Sequence, residues 1–352
     1  MENNLSAPVE SEILSDRDCA NCGQPAMEGD HAASLCHDCR VHFTNLRIPQ
    51  WIKVFAGGIG LIFLFSLFTL PRSLGLGLRL ERGERAAREK NYFTAGRELR
   101  AFLDKMPDNV EARAYLMLSS FYNQDFQSFA EEYKQLAHTN IEDKQLYSKL
   151  DDVLTKAVTY LGNDSFEVFK TAHPLLSQAP DAAWSQYFQQ NEHDIYARME
   201  YSSLLFNRKE YVRCDTLLQS ILGSDEEYFP ALMMEASLKR ETGDLNVALA
   251  YNDRMLAINH ESAFGLASKA RTLLRQKKDR LALDLAAKAQ AFNEKNSFAL
   301  ASLILAYHFN GKIIARDALI RDAASIEKDA NDSSTIQYAL DVIHNKEPFS
   351  RN

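Results

Sequence analysis

Small residues recur at a fixed interval along this chain, and the interval limits what it can fold into. Ser202, Ala236 and Ala270 lie 34 residues apart, and another small residue follows each of them after twelve residues. The second members are Cys214, Ala248 and Ala282, and the same step of twelve joins Gly83 to Ala95 and Ala306 to Ala318. From about residue 76 apolar and charged positions alternate, with few prolines and short Gly or Asn breaks. This pattern predicts repeated helical units.

The recurring pairs resemble the two small positions of tetratricopeptide repeats (TPRs), where helix A and helix B cross closely. The first repeat matches best, because small, aromatic, small and terminating proline positions are filled by Gly83, Tyr92, Ala95 and Pro107. The resemblance implies an all-α, TPR-like helical solenoid. Its repeats would begin near residues 76, 110, 195, 229, 263 and 299. The repeat at 110 is degenerate, since Met117 and Phe129 occupy its usually small sites.

The same frame predicts how the repeat region is organised. Repeats 1 and 2 cover 76–143, and repeats 3 to 6 cover 195–332. Residues 144–194 are one and a half periods long and contain an amphipathic pattern followed by Pro174 and Pro180, so we expect an irregular helical insert there. Ile336, Leu340 and Ile343 share one side of a predicted capping helix over 333–346.

A run without charges, 54–70, lies between the N-terminal segment and the repeats, with Lys53 before it and Arg72 after it. Its length predicts a transmembrane helix over 54–71, with a juxtamembrane linker at 46–53. A signal peptide and a buried core helix are the alternatives. The prediction is a single-pass membrane protein that contacts lipid through one span. Basic residues favour cytoplasmic repeats, whereas a thiolate metal site favours a cytoplasmic N-terminus with extracytoplasmic repeats, which is the orientation we expect.

Four of the five cysteines form two CxxC pairs separated by thirteen residues. This spacing is typical of a four-thiolate zinc site and resembles a zinc ribbon, predicted over 16–45 behind a disordered tail at 1–15. A closed shell of four thiolates predicts structural Zn²⁺, since no position remains for water or substrate. Two disulfides or a redox CxxC are the alternatives. The predicted ligands are Cys19, Cys22, Cys36 and Cys39.

The TPR resemblance also implies a peptide groove, because helix A positions two, five, nine, twelve and thirteen typically face the concave side. The residues at these positions, given below, are partly apolar and partly basic, which predicts a protein or peptide partner with some acidic character. In the repeat from 195 the lining residues are Tyr196, Met199, Ser203, Phe206 and Asn207. In the repeat from 263 they are Phe264, Ala267, Arg271, Leu274 and Arg275.

Several classes of function are not expected. The net charge is −8, and basic residues gather only beside the charge-free run, so we expect no nucleic-acid partner. The sequence lacks the common nucleophile and phosphate-binding motifs, and Cys214 occupies a small-residue position, so we expect no enzyme.

The predicted function is a membrane-anchored binding scaffold. The alternatives are a membrane signalling protein with a metal- or thiol-sensing ribbon, or a non-catalytic subunit of an envelope assembly or quality-control complex. Ala56 and Gly60 leave room for a homodimer.

Overall fold

The computed structural model describes residues 18–25, 35–44, 48–137, 139–323 and 330–351. Across these ranges the regular secondary structure is helical, apart from one antiparallel bridge between Asp18 and Pro25. The predicted all-α class is therefore confirmed. The chain divides into two compact units, Met1–Ser73 and Leu74–Asn352. The predicted tail at 1–15 lies outside the described residues.

The first unit contains a short turn, the whole of α1 and the beginning of α2. The turn runs from Asp18 to Pro25, and α1 spans His37–Thr44. Helix α2 spans Gln50–Arg88 and begins directly after Pro49, whose carbonyl accepts a hydrogen bond from Ile52 N at 3.0 Å. Proline suits the start of a helix because the N–H that it lacks would have no intrahelical acceptor there.

The prediction of a transmembrane helix over 54–71 was wrong. In the part of the chain that the structure describes, no helix is both long enough and apolar enough to cross a membrane. The charge-free run is not a helix of its own, because it belongs to the 39-residue α2, which continues into charged residues such as Glu81 and Arg85. The predicted single-pass membrane localisation, with its orientation, is therefore wrong, and the predicted lipid contact has no support.

The second unit is a series of helix pairs joined by short turns. The last turns of α2 pair with α3, and α4 pairs with α5. The helices of this first set are α3 (Tyr92–Leu103), α4 (Val110–Tyr122) and α5 (Phe126–Leu136). Residues 144–194 then form α6 (Lys144–Val158), α7 (Asp164–Ala172), one 3₁₀ turn (Leu176–Gln178) and α8 (Asp181–Gln190).

Four further pairs and a final helix complete the unit. They are α9 (Ile195–Asn207) with α10 (Tyr211–Ser224), α11 (Phe229–Thr242) with α12 (Leu245–Ile258), α13 (Ala263–Arg275) with α14 (Asp279–Phe292), α15 (Ser297–Phe309) with α16 (Ile313–Ala323), and α17 (Ala330–Ile343). The first helices of consecutive pairs contact one another, and α17 packs on α15. We call the surface formed by α9, α11, α13 and α15 the A-helix face.

The small residues of the recurring pairs lie where the two helices of a pair meet. Ser202, Cys214, Ala236, Ala248, Ala270 and Ala282 are all fully buried. In the first pair a Cβ added at Gly83 would lie 2.7 Å from Leu99 Cγ, which is closer than real Cβ contacts. Leu99 is itself fully buried and has little room to move away. The close crossing that the sequence predicted is therefore present, and the unit is a TPR-like helical solenoid.

The turns inside the pairs repeat at the same interval. Each contains one residue in the left-handed region, with φ between 59° and 90°. These residues are Lys90, Gln124, Lys209, Gly243, Lys277 and Gly311. Neighbours in this series differ by 34 positions, except that Gln124 and Lys209 differ by 85, because 144–194 adds one and a half periods.

The first helix pair also contacts the later repeats, which a simple solenoid does not require. Thr94 N and Thr94 Oγ1 donate to the Glu261 carboxylate, each at 2.7 Å. His260 N donates to Lys90 O at 3.0 Å, and Lys90 Nζ donates to Ala257 O at 3.0 Å. We call these four hydrogen bonds the closure contact. They join residues 167 or 170 positions apart, so the chain folds back on itself within the second unit.

The left-handed turns predict opposite effects of glycine at two positions. Lys277 has φ 59° and Gly243 has φ 90°. Because the left-handed region costs an ordinary residue about 1–2 kcal/mol, Lys277→Gly should stabilise the chain by about 1 kcal/mol, and Gly243→Ala should destabilise it by about 1–2 kcal/mol. Urea unfolding followed by far-UV circular dichroism measures both.

Lys288→Gly, within α14, is the matched control and should destabilise by about 1 kcal/mol, because glycine is a poor residue inside a helix. Destabilisation of Lys277→Gly by the same amount as Lys288→Gly would contradict the turn assignment.

Candidate functional site

The four predicted metal ligands lie together in the first unit. The sulfurs of Cys19, Cys22, Cys36 and Cys39 are all within 4.8 Å of one another, and those of Cys22 and Cys36 are 3.5 Å apart. Sulfurs bound to one zinc ion at about 2.3 Å in a tetrahedron stand roughly 3.8 Å from one another. The four cysteines therefore could hold a single metal ion.

The turn that carries the first pair is built by backbone hydrogen bonds. Gly23 N donates to Cys19 O at 2.9 Å, and Cys19 N donates to Gln24 O at 2.8 Å. Gly23 has φ 71°, a value that favours glycine. In the second pair, Arg40 N donates to Cys36 O at 2.9 Å, and Cys39 lies in the first turn of α1.

Hydrogen-bond donors converge on the sulfurs. The backbone amide of Cys36, followed by that of Asn21, lowers the pKa of the Cys19 thiol to about 6. Asn21 Nδ2 also donates to Cys39 Sγ at 3.4 Å. Donors aimed at sulfur stabilise the thiolate, which is the form that binds a metal ion. The Gln24 amide acts in the same direction on Cys22, but hydrogen bonds with the other three thiols raise the pKa of Cys22 to about 12. The pKa of Cys39 is also raised, although its bond from Asn21 lowers it.

Cys214 lies in a different environment. It is fully buried in α10, and its Sγ donates to Ser202 O at 3.3 Å across the helix crossing. Burial raises the pKa of this thiol to about 12, so it is uncharged at neutral pH. These properties suit a small packing residue better than a nucleophile.

A buried carboxyl lies close to Cys214. Glu235, on α11, is fully buried, and its Oε1 accepts from Gln219 Nε2 at 2.8 Å. Lys239 Nζ lies 3.9 Å from the other oxygen and 2.7 Å from Asp215 Oδ1. Burial, together with the charge of Asp215, raises the pKa of Glu235 to about 7. The charge of this cluster therefore changes near neutral pH. The interval of small residues gave no sign of it.

The structure places the groove residues predicted from the repeat at 195 on α9. Tyr196, Met199, Ser203 and Phe206 are half-buried, and Asn207 is exposed. Tyr196 packs edge-on against Phe166 of α7, with ring centroids 5.6 Å apart. Parts of these side chains are thus open to a partner, and whether one binds there stays a prediction.

The groove residues predicted from the repeat at 263 are less accessible. Phe264 is half-buried, whereas Arg271 and Arg275 are 7% and 6% exposed. Arg271 lies 4.0 Å from the ring centroid of Phe298, and its Nε donates to Ser302 Oγ at 2.8 Å. These two guanidinium groups are therefore already in contact with other parts of the chain.

A third buried arginine lies beside them. Arg240 of α11 donates to Ser237 Oγ at 3.0 Å and to Ser268 Oγ at 3.3 Å. Burial lowers the pKa of Arg240 to about 10, and burial together with the nearby Arg240 charge lowers that of Arg271 to about 9. Within the described ranges no group accepts a hydrogen bond from Arg271 Nη2. Holding three guanidinium groups so close together is costly without an anion.

A cavity of about 700 Å³ lies next to the closure contact. Phe93 and Arg100 of the first pair line it on one side, and Phe264, Phe292 and Asn296 line it on the other. The predicted groove residue Phe264 therefore faces a space that exists only because the chain folds back. No sequence signal predicted this cavity, since its two sides are distant in the chain.

Comparisons with known proteins identify no family. No known family profile matches the chain, and no characterised protein matches its sequence. Solved structures similar to it include yeast Tom70 (14% identity, TM-score 0.38, 75% of this chain and 60% of that one). A second is the TPR2AB-domain:pHSP90 complex of yeast Sti1 (11% identity, TM-score 0.28, 77% of this chain and 98% of that one). A third is the P58(IPK) TPR domain (12% identity, TM-score 0.23, 78% of this chain and 99% of that one).

The alignment spans less than two thirds of the Tom70 chain. The class of the second unit, a TPR-like helical repeat domain, rests on its own helix pairs and their 34-residue interval.

Proposed function

We propose that the second unit is a scaffold that binds a peptide, or a segment of another protein, on its A-helix face. The observation that carries this proposal is a row of half-buried side chains on consecutive first helices, namely Tyr196, Met199, Met233 and Phe264. Methionine and aromatic side chains that keep part of their surface open suit adaptable binding surfaces. A scaffold of this kind needs no catalytic residue, and the absence of enzymatic activity stays a prediction.

The charges beside this row favour an acidic partner. Arg240, Arg271 and Arg275 are buried together, and the carboxylate that pairs with this group is Glu241, which accepts from Arg275 Nη2 at 2.8 Å. An acidic segment on this part of the A-helix face would interact favourably with these positive charges through space, without touching the buried guanidinium groups. The proposed partner segment therefore combines apolar side chains with at least one acidic residue.

Photocrosslinking tests which surface binds. A photoreactive amino acid in place of Met233 on α11 should capture partners from a cell lysate, because this side chain lies on the A-helix face. The same group in place of Val212 is the matched control, since Val212 is 82% exposed but lies on α10, the second helix of its pair. We expect distinct adducts from position 233 and few from position 212.

The proposed acidity of the partner adds a second readout. Raising the ionic strength from about 0.1 M to about 1 M shortens the Debye length from about 10 Å to about 3 Å, and the adducts at position 233 should then decrease. Equal adducts at both positions, or adducts at position 233 that do not change with salt, would contradict the proposal.

For the first unit, we infer that the four clustered cysteines hold one structural Zn²⁺. Four sulfur donors in a compact group match the preference of zinc for tetrahedral thiolate sites. A unit this small buries little apolar surface, so the metal ion would supply much of its folding free energy.

Metal analysis of purified chain tests the zinc assignment. We expect about one zinc ion per chain, and Cys22→Ser should remove most of it, because three thiolates bind zinc more weakly than four. Cys214→Ser is the matched control and should leave the zinc content unchanged, since Cys214 lies in the second unit. Zinc that survives Cys22→Ser, or wild-type chain whose four cysteines are oxidised and metal-free, would refute the assignment.

A further inference from the structure

The last described residues form a short segment without regular secondary structure after α17. Pro348, Ser350 and Glu347 are exposed, whereas Phe349 and Arg351 are half-buried. This alternation places the Phe349 and Arg351 side chains on one side, against the repeats. We call 348–351 the tail segment. It lies at the ends of α13 and α15 and at the start of α14.

Side chains of the repeats hold the aromatic residue of the tail segment. The Phe349 ring lies 5.1 Å from the ring centroid of Phe309, the last residue of α15. The guanidinium carbon of Arg275 lies 5.1 Å from the Phe349 ring centroid, and Arg275 Nη1 donates to Ser350 O at 3.3 Å. Phe349 thus contacts an aromatic ring and a cation at once.

Arg351 is held by three contacts of its own. Its Nε donates to Leu274 O at 2.9 Å, its Nη2 pairs with the Asp279 carboxylate, and its guanidinium carbon lies 4.3 Å from the Phe309 ring centroid. Charge-assisted hydrogen bonds and a cation over an aromatic face are the stronger polar contacts a protein makes. The ends of these helices therefore hold an aromatic residue and an arginine two positions later.

The tail segment is not part of a helix, so its contacts with the repeats do not depend on helical hydrogen bonds. The bonds just described join side chains or a carbonyl group of the repeats to a segment without regular secondary structure, and many domains bind peptides from other proteins through contacts of this kind. Asp279 and the Leu274 carbonyl group accept hydrogen bonds from a guanidinium group, and Phe309 with Arg275 packs against an aromatic ring. A segment of another protein with the same two side chains can make the same contacts.

We propose that the ends of α13 and α15, with Asp279, form a peptide-binding site for an extended partner segment carrying an aromatic residue followed two positions later by arginine. The tail segment of this chain occupies that site in cis and competes with the partner. The site adjoins the A-helix face through Arg275, but it takes a basic rather than an acidic segment and does not depend on the function proposed above.

Binding of the tail sequence in trans tests this proposal. The probe is a fluorescent peptide of residues 345–351 with blocked ends, titrated into chain shortened after Lys346 and followed by anisotropy. We expect saturable binding to the shortened chain. The peptide should bind the full-length chain at least about tenfold more weakly, because the tethered tail segment competes with it at a local concentration of about millimolar. Peptides with alanine in place of Phe349 or Arg351 should lose most of the binding.

Variants of the shortened chain locate the site. Asp279→Asn should weaken peptide binding about tenfold or more, because it removes the charge that pairs with Arg351. Asp284→Asn removes the same charge from an exposed position on the same helix and should leave binding unchanged. Full-length Arg351→Ala, which keeps the tail but removes its main anchor, should bind the peptide nearly as well as the shortened chain.

Three results would overturn the proposal. The first is failure of both the shortened chain and full-length Arg351→Ala to bind the peptide while their circular dichroism matches that of the wild type. The second is equal binding by full-length wild type. The third is a full-length dimer that dissociates on shortening, which would make a second copy of this chain the occupant. None of these results bears on crosslinking at Met233, so this site and the proposed scaffold function fail separately.

Discussion

Glu261 makes the contact on which the arrangement of the second unit depends. Its carboxylate accepts from Thr94 N and Thr94 Oγ1 in the first turn of α3, where the N-cap residue Asn91 makes no capping hydrogen bond of its own. Backbone N–H groups at a helix start need acceptors, and a negative charge is favourable there. A residue 167 positions away therefore caps α3 and holds the first helix pair against α12 and α13.

The insert at 144–194 lies in the chain between the two segments that this contact joins. Its one and a half periods interrupt the regular stacking, and an aromatic series crosses it from Phe121 through Tyr160 to Tyr228, with ring centroids 5.4 and 4.7 Å apart. Tyr160 also accepts a hydrogen bond from Phe229 N at 3.2 Å, and Tyr228 donates to Thr159 O at 3.2 Å. The folded-back chain lines the open cavity beside Phe264 from two sides. The proposed binding surface is the A-helix face of the later repeats.

Local patterns in the sequence predicted the repeats and the cysteine cluster well. The interval of 34 residues depends on contacts within one helix pair, and the CxxC spacing depends on one small turn, so both are visible in a single sequence. The left-handed turns were harder to see, because lysine or glutamine occupies four of the six positions. The charge-free run at 54–70 was misread, because composition alone does not show that it belongs to a longer helix with a charged half.

Contacts between distant segments could not be predicted from the sequence. Arg271 and Arg275 were predicted to line an open groove, but Phe298 and the tail segment cover them. Asp279, Phe309 and Arg351 were not singled out, since they meet only after the chain has folded. The same is true of Glu261, whose partner lies in the first helix pair.

Hydrogen exchange followed by mass spectrometry tests the closure of the second unit most directly. In the full chain, Glu261→Ala should speed amide exchange both in the segment around Glu261 and at the start of α3. Glu226→Ala, a change at an exposed position in the turn between α10 and α11, should leave the start of α3 unchanged. Faster exchange around residue 261 alone would show that the first pair does not depend on Glu261, and would contradict the account.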